Sequence, residues 1–313
     1  MKEIRQTYGE ALLDLGHENP DVVVLDDDLY QPNFLSGFKD AFPRRFFEIG
    51  IAEQNLVGVA AGLADFGKIP FATAFGTFIA KRAAEPVSVL VAYSGMNVKL
   101  VGHQAGLTGG TNGPTHMPIE DVAFMRATPD MVVVEAADHI EMRRMVFAIA
   151  EFEGPVYMRV GRDARPNLLE EDYQFELGKA VQLRDGGDAT VIAGGALVWI
   201  ALEAAEALAR EGIQVSVLNM STIKPLDEDA IIRAARETGA VVTAENHNFI
   251  NGLGSAVAEV LVENEPVPMR RVGIRDLFTE SAPYDQLFQK YGLTSEAVQN
   301  AVHDVLGARR SQR

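Results

Sequence analysis

Residues 46–67 read FFEIGIAEQNLVGVAAGLADFG. The run Phe46-Phe47-Glu48-Ile49 predicts a short strand. Leu56, Val59, Ala60 and Leu63 then recur at helical spacing, so a helix is expected from Glu53 to Asp65, with Gly67 as its stop. A strand that hands over directly to a helix is the repeating unit of an α/β sheet. The flanking segments repeat it. Val22-Val23-Val24-Leu25 shows no polar alternation, as expected of a strand buried on both faces. Further strands are expected at 69–74, 97–101, 131–134 and 155–159, with helices at 4–16, 76–92, 119–126 and 138–151. Together these predict a doubly wound α/β domain over residues 1–165 with a mostly parallel sheet. Pro166, the acidic run Glu170-Glu171-Asp172 and Gly186-Gly187 mark a linker over 166–188. Thr190-Val191-Ile192-Ala193 opens a second doubly wound domain over 189–313. Its helices are expected at 197–210, 227–237 and 253–263, and its strands at 214–218 and 240–244. Residues Ala308 to Arg313 are expected to fray.

The chain has 313 residues, enough for two such domains. Its formal net charge of −16 argues against a nucleic-acid or anionic-membrane surface, since phosphate backbones need clustered Lys and Arg. A few local arginines could still hold a small anionic substrate. Cysteine is absent, which excludes disulfides, thiolate metal sites and a Cys nucleophile. The absence fits a reducing compartment, and a cytoplasmic location is expected. No apolar stretch approaches the 18 or so residues of a membrane span, and the N-terminus lacks a signal-type apolar core. No metal-ligand cluster stands out.

Three segments carry chemistry. In Gly50-Ile51-Ala52-Glu53-Gln54-Asn55, a carboxylate follows a buried strand and begins an apolar helix. Ligands of open α/β sheets bind at the carboxyl ends of strands. By position alone Glu53 reads more readily as a charge stabilised by the helix dipole, and the neighbouring segments reverse that balance. Phe71-Ala72-Thr73-Ala74-Phe75-Gly76-Thr77-Phe78 puts aromatic rings at another strand end, where core packing is the bland alternative. The third segment runs from His103 to His116 through Gly106, Gly109, Gly110 and Gly113. A polar, glycine-rich loop of this length in a compact domain is usually functional or disordered. Two histidines in it favour a site. In the second domain, Ala193-Gly194-Gly195-Ala196 is no dinucleotide fingerprint, and Glu245-Asn246-His247 reads as support for fold and interface.

The order GIAEQN, FATAFGTF, HQAGLTGGTNGPTHMPIED and MRVGRDARP resembles the pyrimidine-binding domain of transketolases. TAENHNFINGLGSAVAE and FTESAPYDQLFQKYGLT are similar to that family's C-terminal domain. GIAEQ is shared with related thiamine enzymes, whereas GPTH in this order is more specific. The resemblance covers nearly the whole chain. It implies thiamine diphosphate as cofactor and transfer of a two-carbon ketol unit from a ketose phosphate to an aldose phosphate. Glu53 matches the glutamate that hydrogen-bonds the cofactor's aminopyrimidine, a role that needs a carboxyl able to hold a proton. Phe75 and Phe78 match the aromatics around that ring. His116 and His103 match the substrate histidines, although the loop is about one residue longer than usual. Arg162 and Arg5 match the arginines that hold the substrate's phosphate. Asp28 resembles an acidic residue near the thiazolium.

Two departures stand out. Asn112 replaces an aspartate that usually contacts a donor hydroxyl, which puts the sugar in question but not the thiamine chemistry. The Gly-Asp-Gly motif that binds the diphosphate through Mg²⁺ is absent. The expectation is therefore one half of a split enzyme, inactive without a separate N-terminal transketolase subunit that holds most of the Mg²⁺ site, in a dimer of heterodimers. Three alternatives remain open from sequence. They are the β subunit of a 2-oxo-acid dehydrogenase, a relative of deoxyxylulose-phosphate synthase, and a non-catalytic scaffolding subunit. GPTH and the paired histidines favour the transketolase reading.

Overall fold

The computed structural model describes residues 1–311. Its strands are β1 (Lys2–Glu3), β2 (Val22–Asp26), β3 (Phe46–Glu48), β4 (Ile69–Phe75), β5 (Lys99–His103), β6 (Val132–Glu135), β7 (Val156–Val160), β8 (Ala164–Arg165), β9 (Val181–Arg184), β10 (Ala189–Ala193), β11 (Val215–Asn219), β12 (Thr222–Lys224), β13 (Val241–Asn248) and β14 (Met269–Ile274). Seven of them form one sheet in the order β12-β6-β7-β5-β4-β2-β3. All its pairings are parallel except that of β12 with β6. Five form a second sheet, β14-β13-β10-β11-β9, with only β9 antiparallel. Strands β2, β5, β6 and β7 are buried along their whole length. That matches their lack of polar alternation, because helices cover both faces of the sheet. The fold is the expected pair of α/β units, and the helix Glu53–Asp65 has the bounds that its apolar spacing predicts.

The structure departs from the sequence reading in four places. The single helix expected over 76–92 is divided into Gly76–Lys81, Ala84–Pro86 and a wider-wound segment, Val87–Tyr93. Pro86 explains the break. It has no N–H to give to the carbonyl of Arg82, and the Gln54 side chain donates to that carbonyl instead, at 3.0 Å. Second, β12 comes from beyond residue 220 yet closes the edge of the first sheet, with Ile223 buried in that unit's core. Third, the segment over 166–188 is not bare connection, since β9 within it joins the second sheet. Fourth, the last helix continues from Ser295 to Ser311 instead of fraying at Ala308. Arg309 anchors it by donating to the carbonyls of Asp188 and Thr238. Residues 312 and 313, also expected to fray, lie outside the described residues. Among the described residues no helix is long and apolar enough to cross a membrane.

Candidate active site

In the first sheet the chain leaves β2 for β3 on one side and returns to β4 on the other. This reversal opens a crevice at the carboxyl ends of the strands, where ligands of doubly wound folds bind. The sequence places its chemistry there. Phe75 ends β4, His103 ends β5, and the two are paired in register. Asp26 ends β2, Glu48 ends β3, and Glu53 opens the helix that follows. A Glu48 carboxylate oxygen accepts from the backbone N–H of Asp28 at 2.9 Å and of Gly50 at 3.0 Å. It thereby ties the turn after β2 to the entry of the Glu53 helix. Arg162 follows β7, and Arg5 lies in the first turn of the helix Ile4–Glu18.

Glu53 has no exposed side-chain surface. Arg82 Nη1 lies 2.7 Å from one of its oxygens and 2.8 Å from the other. The same guanidinium sits 4.1 Å from the centroid of the Phe78 ring. Phe78, Phe75 and His116 form a three-ring cluster with edge-on contacts of 5.8, 5.2 and 5.1 Å between centroids. The Thr115 hydroxyl lies 2.8 Å from His116 Nδ1, so His116 can direct Nε2 outward. Phe78 and Arg82 face an open cleft of about 560 Å³, shared with Thr77, Pro114 and Thr115. A carboxyl group at the base of an aromatic wall suits a flat, nitrogen-containing ring. Arg82 was not legible as a partner for Glu53, because the two are 29 positions apart and meet only through packing of their helices.

Beyond Phe75 lies a second, tighter cleft of about 260 Å³. Arg5, His103, Asn112 and Arg162 all line it, together with Asn33 and Gln104. Three buried polar atoms in these walls have no partner: Asn33 Nδ2, His103 Nε2 and Gln104 Oε1. Orphaned polar groups are rare in folded proteins and call for an explanation. Their residues line one cavity together with the guanidinium groups of Arg5 and Arg162, which suits a polyhydroxylated anion. His103 is buried, not on a mobile loop, and its ring meets Tyr8 edge-on at 5.4 Å. Burial, with Arg5 nearby, pushes its pKa down to about 3, so the ring is neutral. Asn112 Oδ1 stands 3.5 Å from Arg162 Nη1, so the longer loop keeps this residue at the cleft. Asn33 and Gln104 escaped the sequence reading. Gln104 carries a signal only in the structure, a backbone φ of 65° in the left-handed region.

Asp28 is exposed, with φ at 67°, and lines neither cleft. Its buried neighbour Asp27 turns inward instead. Burial, then Asp26 and Glu53, push the Asp27 carboxyl up to about 9. Burial likewise pushes Asp26 up to about 7, with Glu48 adding to the effect. A separate groove of about 740 Å³ beside Phe249 and Arg271 holds none of these groups. Its size is not matched by converging chemistry, and the smaller clefts are the stronger candidates.

Residues 1–166 match the family described as transketolase, pyrimidine binding domain, and residues 178–298 that described as transketolase, C-terminal domain. The chain is 47% identical over 302 residues to the 6-deoxy-6-sulfo-D-fructose transketolase subunit of Clostridium sp. (strain MSTE9), covering 96% of this chain and 94% of the relative. It is 41% identical over 295 residues to one of the subunits of the apulose-4-phosphate transketolase of Phocaeicola vulgatus, covering 94% of each. A solved split-gene transketolase, described as an inactive β4 tetramer, superposes with a TM-score of 0.92 at 48% identity. That match covers 98% of this chain and 99% of the other.

Proposed function

This chain belongs to the transketolase family, and from that premise we propose that it is the pyrimidine-binding and C-terminal subunit of a split transketolase that depends on thiamine diphosphate. It transfers a two-carbon ketol unit between sugars that carry a terminal anionic group, and it works only with a second chain. The observation that carries this reading is the convergence of Arg5, Arg162, Asn112, His103 and Phe75 on one cleft, with Asn33 and Gln104 beside them.

Glu53, Phe75 and Phe78 would hold the cofactor's pyrimidine. When bound, the cofactor supplies the electron sink for carbon–carbon cleavage. Glu53 would meet the ring nitrogen, so Arg82 must yield its place at the carboxylate. Phe75 and Phe78 fix the ring's plane and keep water from it. His103 and His116 face the sugar hydroxyls, and a neutral His103 can accept as well as donate. Asp28, exposed at the turn after β2, would come near the cofactor only in the assembled enzyme. Arg162 and Arg5 hold the anionic end by charge-assisted hydrogen bonds. These groups serve a sulfonate as well as a phosphate. The named relatives, one acting on a sulfo-sugar and one on a sugar phosphate, support that breadth. Asn112, an uncharged amide beside Arg162, leaves that end of the cleft without the carboxylate usual in the family.

The need for a partner is supported by the surface next to Glu53. Ile51 is 72% exposed, Leu90 42% and Tyr93 89%, all on the Glu53 helix entry or on the Val87–Tyr93 segment packed beside it. Large apolar side chains left exposed on neighbouring elements suit an interaction site. The partner covers it, holds the diphosphate and Mg²⁺, and completes a dimer of heterodimers. The test is reconstitution with the cognate N-terminal subunit, thiamine diphosphate and Mg²⁺, followed by a screen of ketose phosphates and 6-sulfo-ketoses. Turnover is expected only when both chains and the cofactor are present. Glu53→Gln should lower it by roughly 10²–10⁴ while the complex still assembles. Wild-type rates in that variant would reduce Glu53 to a helix-start charge.

A further inference from the structure

The second unit grips the loop that carries His116 and Asn112. Asn246, on β13, is 2% exposed. Its Nδ2 donates to the carbonyl of Ala105 at 3.1 Å, and its Oδ1 accepts from the N–H of Leu107 at 2.9 Å. One side chain thus satisfies the backbone on both sides of Gly106. Gly106 has φ at 55°, and a Cβ there would lie 2.2 Å from Asn246 Oδ1 and 2.3 Å from the Asn246 carbonyl oxygen. Only a glycine permits both the turn and the approach.

Asn246 is itself held. Its carbonyl accepts from Arg159 Nη2 at 3.2 Å, and Arg159 is fixed by buried ion pairs with Asp121 and Glu135. Further along the loop, the Ser281 hydroxyl donates to the Thr111 carbonyl at 2.7 Å. Leu107 and Met117 lie in the second unit's hydrophobic core, not the first's. The loop between His103 and His116 is therefore anchored from the second unit at both ends.

We propose that Asn246 is a positioning residue for the substrate loop, through which the second unit sets the placement of Asn112 in the sugar cleft and of His116 against Phe75 and Phe78. The proposal rests on the reading that this loop meets the sugar. The amide is required because the loop presents one donor and one acceptor side by side. A carboxylate could accept from Leu107 N–H but would face the Ala105 carbonyl with a second acceptor. Loss of the bonds loosens the loop, while Glu53, Phe75 and Phe78 stay on the first unit's own β4 and the helices Glu53–Asp65 and Gly76–Lys81, with only the His116 edge of the ring cluster released.

Two measurements test this on Asn246→Ala and, should that variant fail to fold, on Asn246→Ser. In the first, hydrogen exchange of the isolated chain follows the Leu107 amide. Its protection should fall on the order of tenfold or more while the amides of β4 and β5 keep theirs. Unchanged protection at Leu107 overturns the clamp without any reference to activity. In the second, the reconstituted complex is assayed with the ketose it turns over. KM for the donor should rise about tenfold or more, with half-saturation by thiamine diphosphate unchanged. A purely structural Asn246 would instead lower the active fraction and the melting temperature at constant KM, and that result overturns the positioning role. If the wild-type complex turns over no ketose, the functional reading fails and the exchange measurement still decides the clamp.

Discussion

At the scale of single residues, the site is governed by how buried charges are compensated. Glu53 is paired with Arg82, whereas Asp27 has no cation and keeps its proton. Asp27 rises from 3.8 to about 9 on folding, so between those values the folded chain binds a proton that the unfolded chain has lost. Stability from this group is therefore full below about pH 4 and falls as pH rises towards 9. Asp27→Asn removes that dependence. Its stability advantage over the parent should grow by up to about 1.4 kcal/mol per pH unit between pH 5 and 8.5. Urea midpoints at those two pH values measure it, and an equal difference at both would mean that Asp27 is ionised in the folded chain. Arg162 belongs to the same scale. A guanidinium on the remote anionic end of a sugar contributes to binding more than to bond cleavage. Arg162→Ala should raise KM for anionic ketoses at least about tenfold and leave reaction with short, uncharged donors nearly unchanged. Equal losses on both donors would make Arg162 a structural residue.

At the scale of elements, the segment from Gly76 to Tyr93 shows how a local rule redirects a helix. Its apolar spacing predicts one helix, but Pro86 interrupts the hydrogen bonds, and the chain resumes as the wider-wound Val87–Tyr93. Val87 and Val91 face the core, while Leu90 and Tyr93 are left in solvent beside the Glu53 helix. If this face receives the partner, Leu90→Asp should leave the isolated chain's melting temperature almost unchanged, as is usual for an exposed position. Association with the N-terminal subunit should weaken by on the order of tenfold or more, as for an interface residue near the centre of its patch. Sedimentation of the mixed subunits reads this directly. Undiminished association would place the partner on another face. Gln54, read only as part of a motif, proves to cap the carbonyl that Pro86 leaves free, so the same segment that carries Glu53 also stabilises the break.

For the whole molecule, the two units are interleaved rather than strung together. β12 closes the first sheet from beyond residue 220, Leu107 and Met117 enter the second unit's core, and Asn246 reaches back to the substrate loop. The proposed division of labour across chains has its own consequence. The isolated chain offers an aromatic wall and a carboxyl already paired with Arg82, so it should bind thiamine diphosphate weakly and without dependence on Mg²⁺. Calorimetry showing tight, Mg²⁺-dependent binding by this chain alone would refute the split. The sequence by itself determined the βα alternation, the helix beginning at Glu53 and the segments that resemble the family's motifs. These features follow from periodicity and short motifs, which act between near neighbours in the chain. Only the tertiary structure decided that Arg82 pairs with Glu53, that Asn33 and Gln104 join Arg5 and Arg162 in one cleft, and that Asn246 holds Gly106. Those contacts join positions 29 to 141 residues apart or arise where several strand ends meet. No local pattern encodes them, because they depend on the order in which the strands pack and on what that packing buries.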